Sequence, residues 1–353
     1  MSSLDNYEII PAATTTIRHR NECIPYYDAF YSSEVDAISL AGAYLPIIAA
    51  PMSSVINAKN YLEFDKEGIL TVIPRTVSLN ERLELIDKGI FIALGLDEFK
   101  FFVNDNQTVP EGTRICVDLA NGHMKDLLLV CKEAKDKFGS NLELMTGNIA
   151  NPSTYDEYAM VGIDYIRCGI GSGNVCSTSY LSGVHMSMDK LIKGCYQRKL
   201  YVQSCVSYNI NSFKSVPKIV ADGGFQTIRQ IIIALALGAD YVMLGQILAM
   251  CEEACGDKVK LPSGWHREYY GMSTERAQKE MGHTKLKSSE GIEKLVPIKY
   301  TVKDWVKKFV SIISSTMSYC DKKELLYFVG QVKVQEASPG EYSSYEKSKN
   351  III

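Results

Sequence analysis

Short apolar runs recur along the chain, and most of them are separated by stretches with helical periodicity. In residues 126–138, for example, Leu127, Leu128, Val130 and Ala134 form the apolar pattern of a helix whose outer face is rich in lysine. Continuous apolar strands that are bounded by glycine and alternate with helices are typical of parallel β/α units. The strands that this pattern predicts are residues 46–52, 69–75, 90–95, 115–122, 142–148, 165–169, 218–224 and 241–246.

Eight such strands within about 200 residues predict an α/β fold, the closed (β/α)8 TIM barrel, with functional groups on the loops that follow the strands. A doubly wound open sheet is the alternative, although no GxGxxG sequence follows the first strand. A ninth apolar run, residues 200–206, is interpreted as an insertion or as the end of a helix. We expect one barrel domain over residues 1–335, including an N-terminal segment (1–40) and a flap region (265–300), and a flexible tail over residues 336–353.

Composition limits the location and the partners of the protein. The chain has 353 residues, 46% of them hydrophobic, and a formal net charge of −3. A near-neutral charge argues against nucleic acid as an electrostatic partner. Residues 1–20 lack the apolar core of a signal peptide, and the longest apolar run, residues 231–237, is too short to span a bilayer. We therefore expect a soluble, cytoplasmic protein without a membrane partner.

The ten cysteines and five histidines are scattered without CxxC or zinc-ligand spacing, but one cysteine has an unusual setting. Residues 167–178 read RCGIGSGNVCST, so the sixth predicted strand leads through three glycines to Cys176 and two hydroxyl residues. Such a turn can present a reactive nucleophile, or it can be a glycine-rich connection with an incidental thiol. This stretch alone does not separate the two interpretations.

The ends of predicted strands seven and eight are rich in glycine. Asp222, Gly223 and Gly224 end the seventh strand, and Gly245 and Gln246 end the eighth. In barrels these two ends commonly form a phosphate site from backbone N–H groups, while a carboxylate suits sugar hydroxyls. Together they suggest a ribose monophosphate. Two glycine turns with a capping aspartate are the structural alternative.

A polar segment follows the eighth strand. Residues 269–273 read YYGMS, residues 274–281 predict a short helix, and residues 282–289 are polar up to Glu290. Such a flap could close on a substrate and deliver Glu290, although a glutamate in a loop is more often solvated.

Taken in order, the sequences GIGSGNVCSTS, IVADGG, YVMLGQ, YYGMS and SSEG resemble the IMP dehydrogenase/GMP reductase family, over residues 46–319. The resemblance implies a catalytic cysteine loop after strand six and a flap after strand eight. It makes Cys176 the nucleophile that attacks purine C2, with Thr178 and Glu290 handling the proton of the amine. Substrate contacts are implied for Asp222, Gly223, Gly224, Gly245, Gln246, Gly271, Met272, Ser273 and Ser289.

The same resemblance implies a nicotinamide cofactor, a potassium ion and a homotetramer. Cofactor contacts are implied for Asp118, Ala120, Asn121, Gly169 and Ser315. Potassium would bind the backbone carbonyls of Gly171, Gly173 and Cys176. The implied partners are thus a purine ribonucleotide (GMP or IMP) and NADPH.

The flap favours the reductase branch, because residues 274–289 lack the Arg-Tyr pair with which the dehydrogenases activate water. Residues 118–122 and 315–319 also resemble the reductases. The expected activity is NADPH-dependent reductive deamination of GMP to IMP and ammonia through a Cys176 adduct. The alternatives are an IMP dehydrogenase using NAD, an enzyme acting on a modified purine nucleotide, and a catalytically silent nucleotide-binding barrel.

The chain departs from the family pattern at several positions. Gln246 stands where the reductases usually have a second glycine and the dehydrogenases a serine, although a backbone donor survives. Ser179 replaces a basic residue. Lys287 and Ile292 stand where the reductases tend to have Arg and Lys. These departures are consistent with a divergent enzyme whose base or cofactor preference has changed.

Overall fold

Eight parallel strands close into a barrel, and each overlaps one of the predicted apolar runs. The computed structural model of the chain describes residues 2–28, 30–32, 37–39, 42–175, 178–208, 213–282 and 291–338. The barrel strands are β1 (Ile47–Ala49), β2 (Leu70–Ile73), β3 (Phe91–Leu94), β4 (Thr113–Val117), β5 (Leu142–Ile149), β6 (Tyr165–Cys168), β7 (Lys218–Asp222) and β8 (Tyr241–Leu244). Neighbours pair in chain order, and β8 pairs with β1 to close the barrel. The predicted TIM barrel is confirmed.

Helices connect the strands on the outside of the barrel. They are Tyr61–Asp65, Leu79–Leu83, Leu96–Asp105, Lys125–Phe138, Thr154–Val161, Thr178–Ser182, Met188–Ser207, Ile228–Ala236, Gln246–Ala249, Glu275–Glu280, Val302–Tyr319 and Leu325–Phe328. The ninth apolar run forms the end of Met188–Ser207, which confirms the interpretation as a helix end. The predicted short helix is confirmed as Glu275–Glu280. It begins there because Thr274 Oγ1 caps it by accepting from the Ala277 N–H (3.2 Å).

The barrel strands are apolar on both faces because both faces are buried. One set of side chains packs outward against the helices, and a second set, including Ile48, Val72 and Val220, fills the barrel interior. Aromatic rings lie where the strands begin: Phe91 and Tyr165 meet edge to face, with their centroids 5.4 Å apart. This end of the barrel is filled with apolar side chains, so a polar ligand has to enter where the strands end.

A three-stranded antiparallel sheet follows the barrel. Its strands are β9 (Lys258–Leu261), β10 (Gly264–Tyr270) and β11 (Glu293–Pro297), and we call it the flap sheet. The buried Arg267 of β10 donates to the carbonyls of Ala254, Cys255 (3.1 Å) and Glu252 (3.2 Å), which fixes this sheet to the loop after β8. Residues 283–290, the centre of the predicted flap, lie outside the described residues.

The two ends of the described chain pair with each other. Strand Tyr7–Ile9 lies antiparallel to Val334–Glu336, and Tyr7 OH donates to Asp189 Oδ2 (2.9 Å). The strand runs through Glu336, so regular structure extends one residue past the expected boundary at 335, and residues 339–353 lie outside the described residues. None of the helices within the described ranges has the length and apolar character needed to cross a bilayer.

Candidate functional site

The carboxyl ends of the barrel strands bring together residues that are far apart in the sequence. Asp118 follows β4, Gly169 follows β6, Asp222 ends β7 and Gly245 follows β8. Because all eight strands are parallel, these residues lie at the same end of the barrel, opposite the aromatic rings.

The predicted nucleophile and the predicted proton-handling pair fall at gaps in the described chain. Cys176, Ser289 and Glu290 lie outside the described residues, and Thr178 is described only as the first residue of the helix Thr178–Ser182. Their roles stay predictions. What the structure adds is the arrangement of the residues next to them.

Arg167 of β6 lies between the carboxylates of Asp118 and Asp222. Its Nη1 donates to Asp118 Oδ1 (2.6 Å) and its Nη2 to Asp222 Oδ2 (2.9 Å), and only 7% of the residue is exposed. Burial opposes the charged form, but Asp222, the Cys116 thiol and Asp118 hold the pKa of Arg167 above its usual value. We call Asp118, Arg167 and Asp222 the ion-pair cluster. Its two carboxylates outnumber its one guanidinium, so its formal charge is −1.

Asn148, the second-last residue of β5, also binds Asp222. Its Nδ2 donates to Asp222 Oδ2 (2.7 Å) and to the Gly169 carbonyl (2.9 Å), whereas its Oδ1 is buried without a hydrogen-bond partner. Asn148 and Arg167 both reach Oδ2 of Asp222, and no donor in the described part of the chain reaches Oδ1. An unpaired buried acceptor costs about 1–3 kcal/mol. Of these two oxygens, Asp222 Oδ1 is thus the acceptor available for a hydroxyl group of a ligand, because Asn148 Oδ1 is buried.

The glycine loop after β6 packs backbone against backbone on the turn after β7. A Cβ on Gly169 would overlap the Asp222 carbonyl oxygen. A Cβ on Gly223 or Gly224 would lie 2.9 or 2.8 Å from backbone atoms of the loop. Ser172 Oγ donates to the Asp222 carbonyl (2.9 Å), which ties the two segments together. The two glycine motifs therefore form a single unit, and the close approach explains why each needs glycine.

Gly171 and Gly173 carry carbonyls that the resemblance assigns to a potassium ion. Ser179 Oγ donates to the Gly171 carbonyl (2.8 Å), which leaves that oxygen a second lone pair. The Gly173 carbonyl accepts from no donor within the described ranges. Neutral carbonyl oxygens are the ligands of potassium in proteins. The described carbonyls therefore fit the ion, while the third one, at Cys176, lies outside the described residues.

The turn 271–273, predicted to contact the purine base, lies beside the cysteine loop. Within it Met272 is half-buried and Ser273 is exposed. The Ile292 N–H donates to the Val175 carbonyl (3.0 Å), and a Cβ on the glycine of the turn would lie 2.7 Å from the same oxygen. Val175 is the last described residue before the predicted nucleophile, and Ile292 lies two residues after the predicted glutamate. The flap sheet is thus hydrogen-bonded to the cysteine loop.

The loops after β6 and β8 meet at Lys294 of β11. Lys294 Nζ donates to Gln246 Oε1 (2.6 Å) and lies 3.5 Å from the Asn174 carbonyl. Gly245 is again required by space, because a Cβ would lie 2.5 Å from Tyr269 OH. Burial lowers the pKa of Lys294. We call Asn174, Gln246 and Lys294 the lysine corner.

Four of the five cofactor-binding candidates lie at three places near the strand ends. Asp118 belongs to the ion-pair cluster and Gly169 to the glycine loop. Ala120 and Asn121 are exposed on the loop after β4, where Asn121 Oδ1 accepts from the His123 N–H (3.0 Å).

Ser315 is the predicted site residue that the structure does not bring to the strand ends. It lies in the last turns of the helix Val302–Tyr319, which runs back toward the end of the barrel where the strands begin. There it lines a cavity of about 520 Å³ together with Arg18 and Arg20 of the N-terminal segment. Within one chain it is therefore separate from the other cofactor-binding candidates.

Sequence reasoning missed Arg167 and Lys294. A signal for Arg167 was present, because an arginine inside an apolar strand is buried only when it is paired. Lys294 carried no such signal, since it lies in a short strand that mixes exposed, half-buried and buried residues.

Comparison with known proteins agrees with this geometry. The family model described as IMP dehydrogenase / GMP reductase domain matches residues 109–343, two thirds of the chain. GMP reductase 2 of Homo sapiens is 27% identical over 304 residues, which cover 83% of this chain and 81% of the relative. GMP reductase of Vibrio atlanticus (strain LGP32) is 26% identical over 305 residues (82% and 84%), and that of Onchocerca volvulus 24% over 320 residues (86% and 84%). The chain therefore belongs to the IMP dehydrogenase/GMP reductase family.

Proposed function

We propose that the protein is a GMP reductase, an NADPH-dependent oxidoreductase that converts GMP to IMP and ammonia through a Cys176 adduct. The observation that carries the proposal is the hydrogen bond between Ile292 and Val175, which links the flap sheet to the cysteine loop at the strand ends that hold Asp222. The similarity to proteins named GMP reductase supports the reductase branch of the family.

The other cysteines support Cys176 as the nucleophile. Of the nine cysteines within the described ranges, eight are buried. Burial raises the pKa of Cys116 and of Cys131 to about 12, so these thiols stay protonated and inert at neutral pH. Cys176 is the tenth, and it follows a glycine loop that packs on the predicted ribose-binding residue.

The proposed reaction makes and breaks one bond at sulfur. The Cys176 thiolate bonds to purine C2, and the bond from C2 to the exocyclic amine breaks. Thr178 and Glu290 would deliver the proton that lets the amine leave as ammonia. Bound NADPH would supply the hydride that reduces C2. The sulfur–carbon bond then breaks with its electron pair returning to the thiolate, so that the cofactor is oxidised and IMP is released.

The described residues have distinct binding roles in this proposal. Asp222 Oδ1 would accept hydrogen bonds from the ribose hydroxyls, while Asn148 Nδ2 holds the same carboxylate in place through Oδ2. The phosphate would be held at Gly224, Gly245 and Gln246, and the base at the turn 271–273. The carbonyls of the glycine loop would hold a potassium ion, which would fix the shape of the loop rather than take part in bond making.

The cofactor site and the assembly are proposed together. A homotetramer would allow Ser315 of one subunit to contribute to the cofactor site of another, since within one chain it lies away from the strand ends. A cytoplasmic location stays a prediction.

The test is an assay of NADPH oxidation with GMP in potassium buffer, with ammonia and IMP measured as products. We expect turnover by the wild type and a loss of at least about 1,000-fold in Cys176→Ala, since the covalent route is removed. Cys255→Ala, which removes a half-buried thiol elsewhere, is the matched control and should retain activity. Formation of XMP from IMP and NAD, without GMP turnover, would instead identify a dehydrogenase. Tight nucleotide binding without any turnover would identify a silent barrel.

A further inference from the structure

Lys294 is held at the junction of three segments. It lies in β11 opposite Tyr269 of β10, and its ammonium lies 5.8 Å from the centre of the Tyr269 ring. From there it reaches Gln246 Oε1 (2.6 Å) on the loop after β8 and the Asn174 carbonyl (3.5 Å) on the cysteine loop. Both acceptors are neutral. The ammonium is therefore fixed between the two loops without a balancing charge from either.

No carboxylate within the described ranges lies within 4.0 Å of Lys294 Nζ. Two other lysines that are partly buried in this protein do have such a partner. Lys135 pairs with Asp164 (2.9 Å), and Lys199 pairs with Asp240 (2.5 Å). A cation removed from water without an opposite charge is costly, and the lowered pKa of Lys294 reflects that cost. An anionic ligand would relieve it.

Within the described ranges, the groups that contact the Lys294 ammonium are neutral, which leaves its charge available to an anionic ligand. Gly224, whose φ is +85°, packs on the same loop that carries Asn174, two residues beyond the carboxylate of Asp222. Gln246 holds the ammonium only through a neutral amide oxygen, and charge-assisted hydrogen bonds are about twice as strong as neutral ones. A phosphate that entered this corner would compete well for the ammonium.

We propose that Lys294 binds the 5′-phosphate of the nucleotide substrate and so makes the enzyme select phosphorylated substrates over nucleosides. This inference rests on the proposed function, because it assumes that a purine nucleotide occupies the strand ends. Lys294 is thereby a specificity-determining residue. Before substrate binds, the Lys294 ammonium donates to the amide oxygen of Gln246. When the nucleotide binds, its phosphate replaces that oxygen as the acceptor.

The experiment compares GMP with guanosine by isothermal titration calorimetry. Lys294→Met should weaken GMP binding about 10- to 100-fold, the range expected for a lost hydrogen bond to a charged group. Guanosine affinity should stay within about twofold of wild type. Lys294→Arg should restore most of the GMP affinity, which a merely structural role of the side chain does not predict. Lys299→Met removes an exposed positive charge just after the same strand and should change the affinity for neither GMP nor guanosine.

Two outcomes would overturn the inference: a Lys294→Met protein that binds GMP as tightly as wild type, or a wild type that binds guanosine as tightly as GMP. If Lys294→Met fails to fold, Lys294→Gln takes its place, because its amide can still donate to Gln246 Oε1 but carries no charge. Its GMP affinity should fall by a similar factor, and an unchanged value overturns the inference. Failure of the proposed function is visible separately, since a wild type that binds none of GMP, IMP and XMP refutes it and the inference with it.

Discussion

The ion-pair cluster and the lysine corner lie at the same end of the barrel and carry opposite net charge. In the cluster, Arg167 forms ion pairs with two carboxylates, which leaves one negative charge in excess. In the corner, Lys294 meets two neutral oxygens and, within the described ranges, no carboxylate. The two glycines after Asp222 pack against Ser172 and Gly173 of the loop that carries Asn174, so the two regions are adjacent in space.

This difference matches the two ends of a nucleoside monophosphate. Surplus carboxylate oxygens accept hydrogen bonds from sugar hydroxyls but repel phosphate, whereas an unbalanced ammonium attracts phosphate. Asp222 and Lys294 would therefore read different parts of one ligand. In the proposed complex, the ribose would lie over β7 and the phosphate toward the loop after β8.

The largest effect is expected from breaking the ion-pair cluster. Arg167→Met should lower the free energy of unfolding by about 3–5 kcal/mol, because two carboxylates would stay close together in a buried place without a cation. Denaturant unfolding measures the change. Arg167→Lys, which keeps the charge but not the forked geometry, should lose less. A Met variant as stable as wild type would show that the cluster has little internal coupling.

A moderate effect is expected where the two regions join. Gly224→Ala should cost about 1–3 kcal/mol of stability and weaken GMP binding, because its φ is +85° and the new Cβ would lie 2.8 Å from the Ser172 carbonyl oxygen. Gly112→Ala is the matched control, since Gly112 has a φ of +79° with open space around its Cβ position. The control isolates backbone strain, and thermal unfolding compares the two. Equal losses in both variants would mean that the contact with the cysteine loop carries no energy.

The fold could be predicted from the sequence because parallel strands that are buried on both faces appear as continuous apolar runs. Each barrel strand is an apolar run that ends in small or polar residues, and only the bounds moved. The start of β4 was missed by two residues, since Thr113 and Arg114 are polar. Arg114 belongs to the strand, and its Nε donates to Glu143 (2.9 Å) on the neighbouring strand. The local pattern of apolar and polar residues does not predict this contact.

The site was predictable only where one segment contains its own chemistry. Gly169 and Asp222 belong to short motifs whose residue types follow from close backbone approach. The role proposed for Lys294 depends on Gln246, 48 residues away along the chain, and on the lack of a carboxylate near its ammonium within the described ranges. Both are properties of the packed molecule. Ser315 illustrates the reverse, because its helix directs it toward the other end of the barrel.

The smallest predicted effect is a dependence of GMP affinity on pH, which involves the lysine corner and not the ion-pair cluster. Burial lowers the pKa of Lys294 below the ordinary 10.5, so in the free protein its ammonium loses its proton earlier than an exposed lysine does as the pH rises. GMP affinity should therefore decline on the alkaline side before ordinary lysines titrate, by up to about tenfold. Guanosine has no phosphate to meet the ammonium, whereas the guanine N1 proton is lost alike from both ligands, so the decline that reports Lys294 is that of GMP relative to guanosine. In Lys294→Arg the decline should vanish, since a guanidinium stays charged throughout. Calorimetric titrations from neutral to alkaline pH measure both ligands. A parallel fall for GMP and guanosine would show that the charge of the lysine corner does not govern phosphate binding.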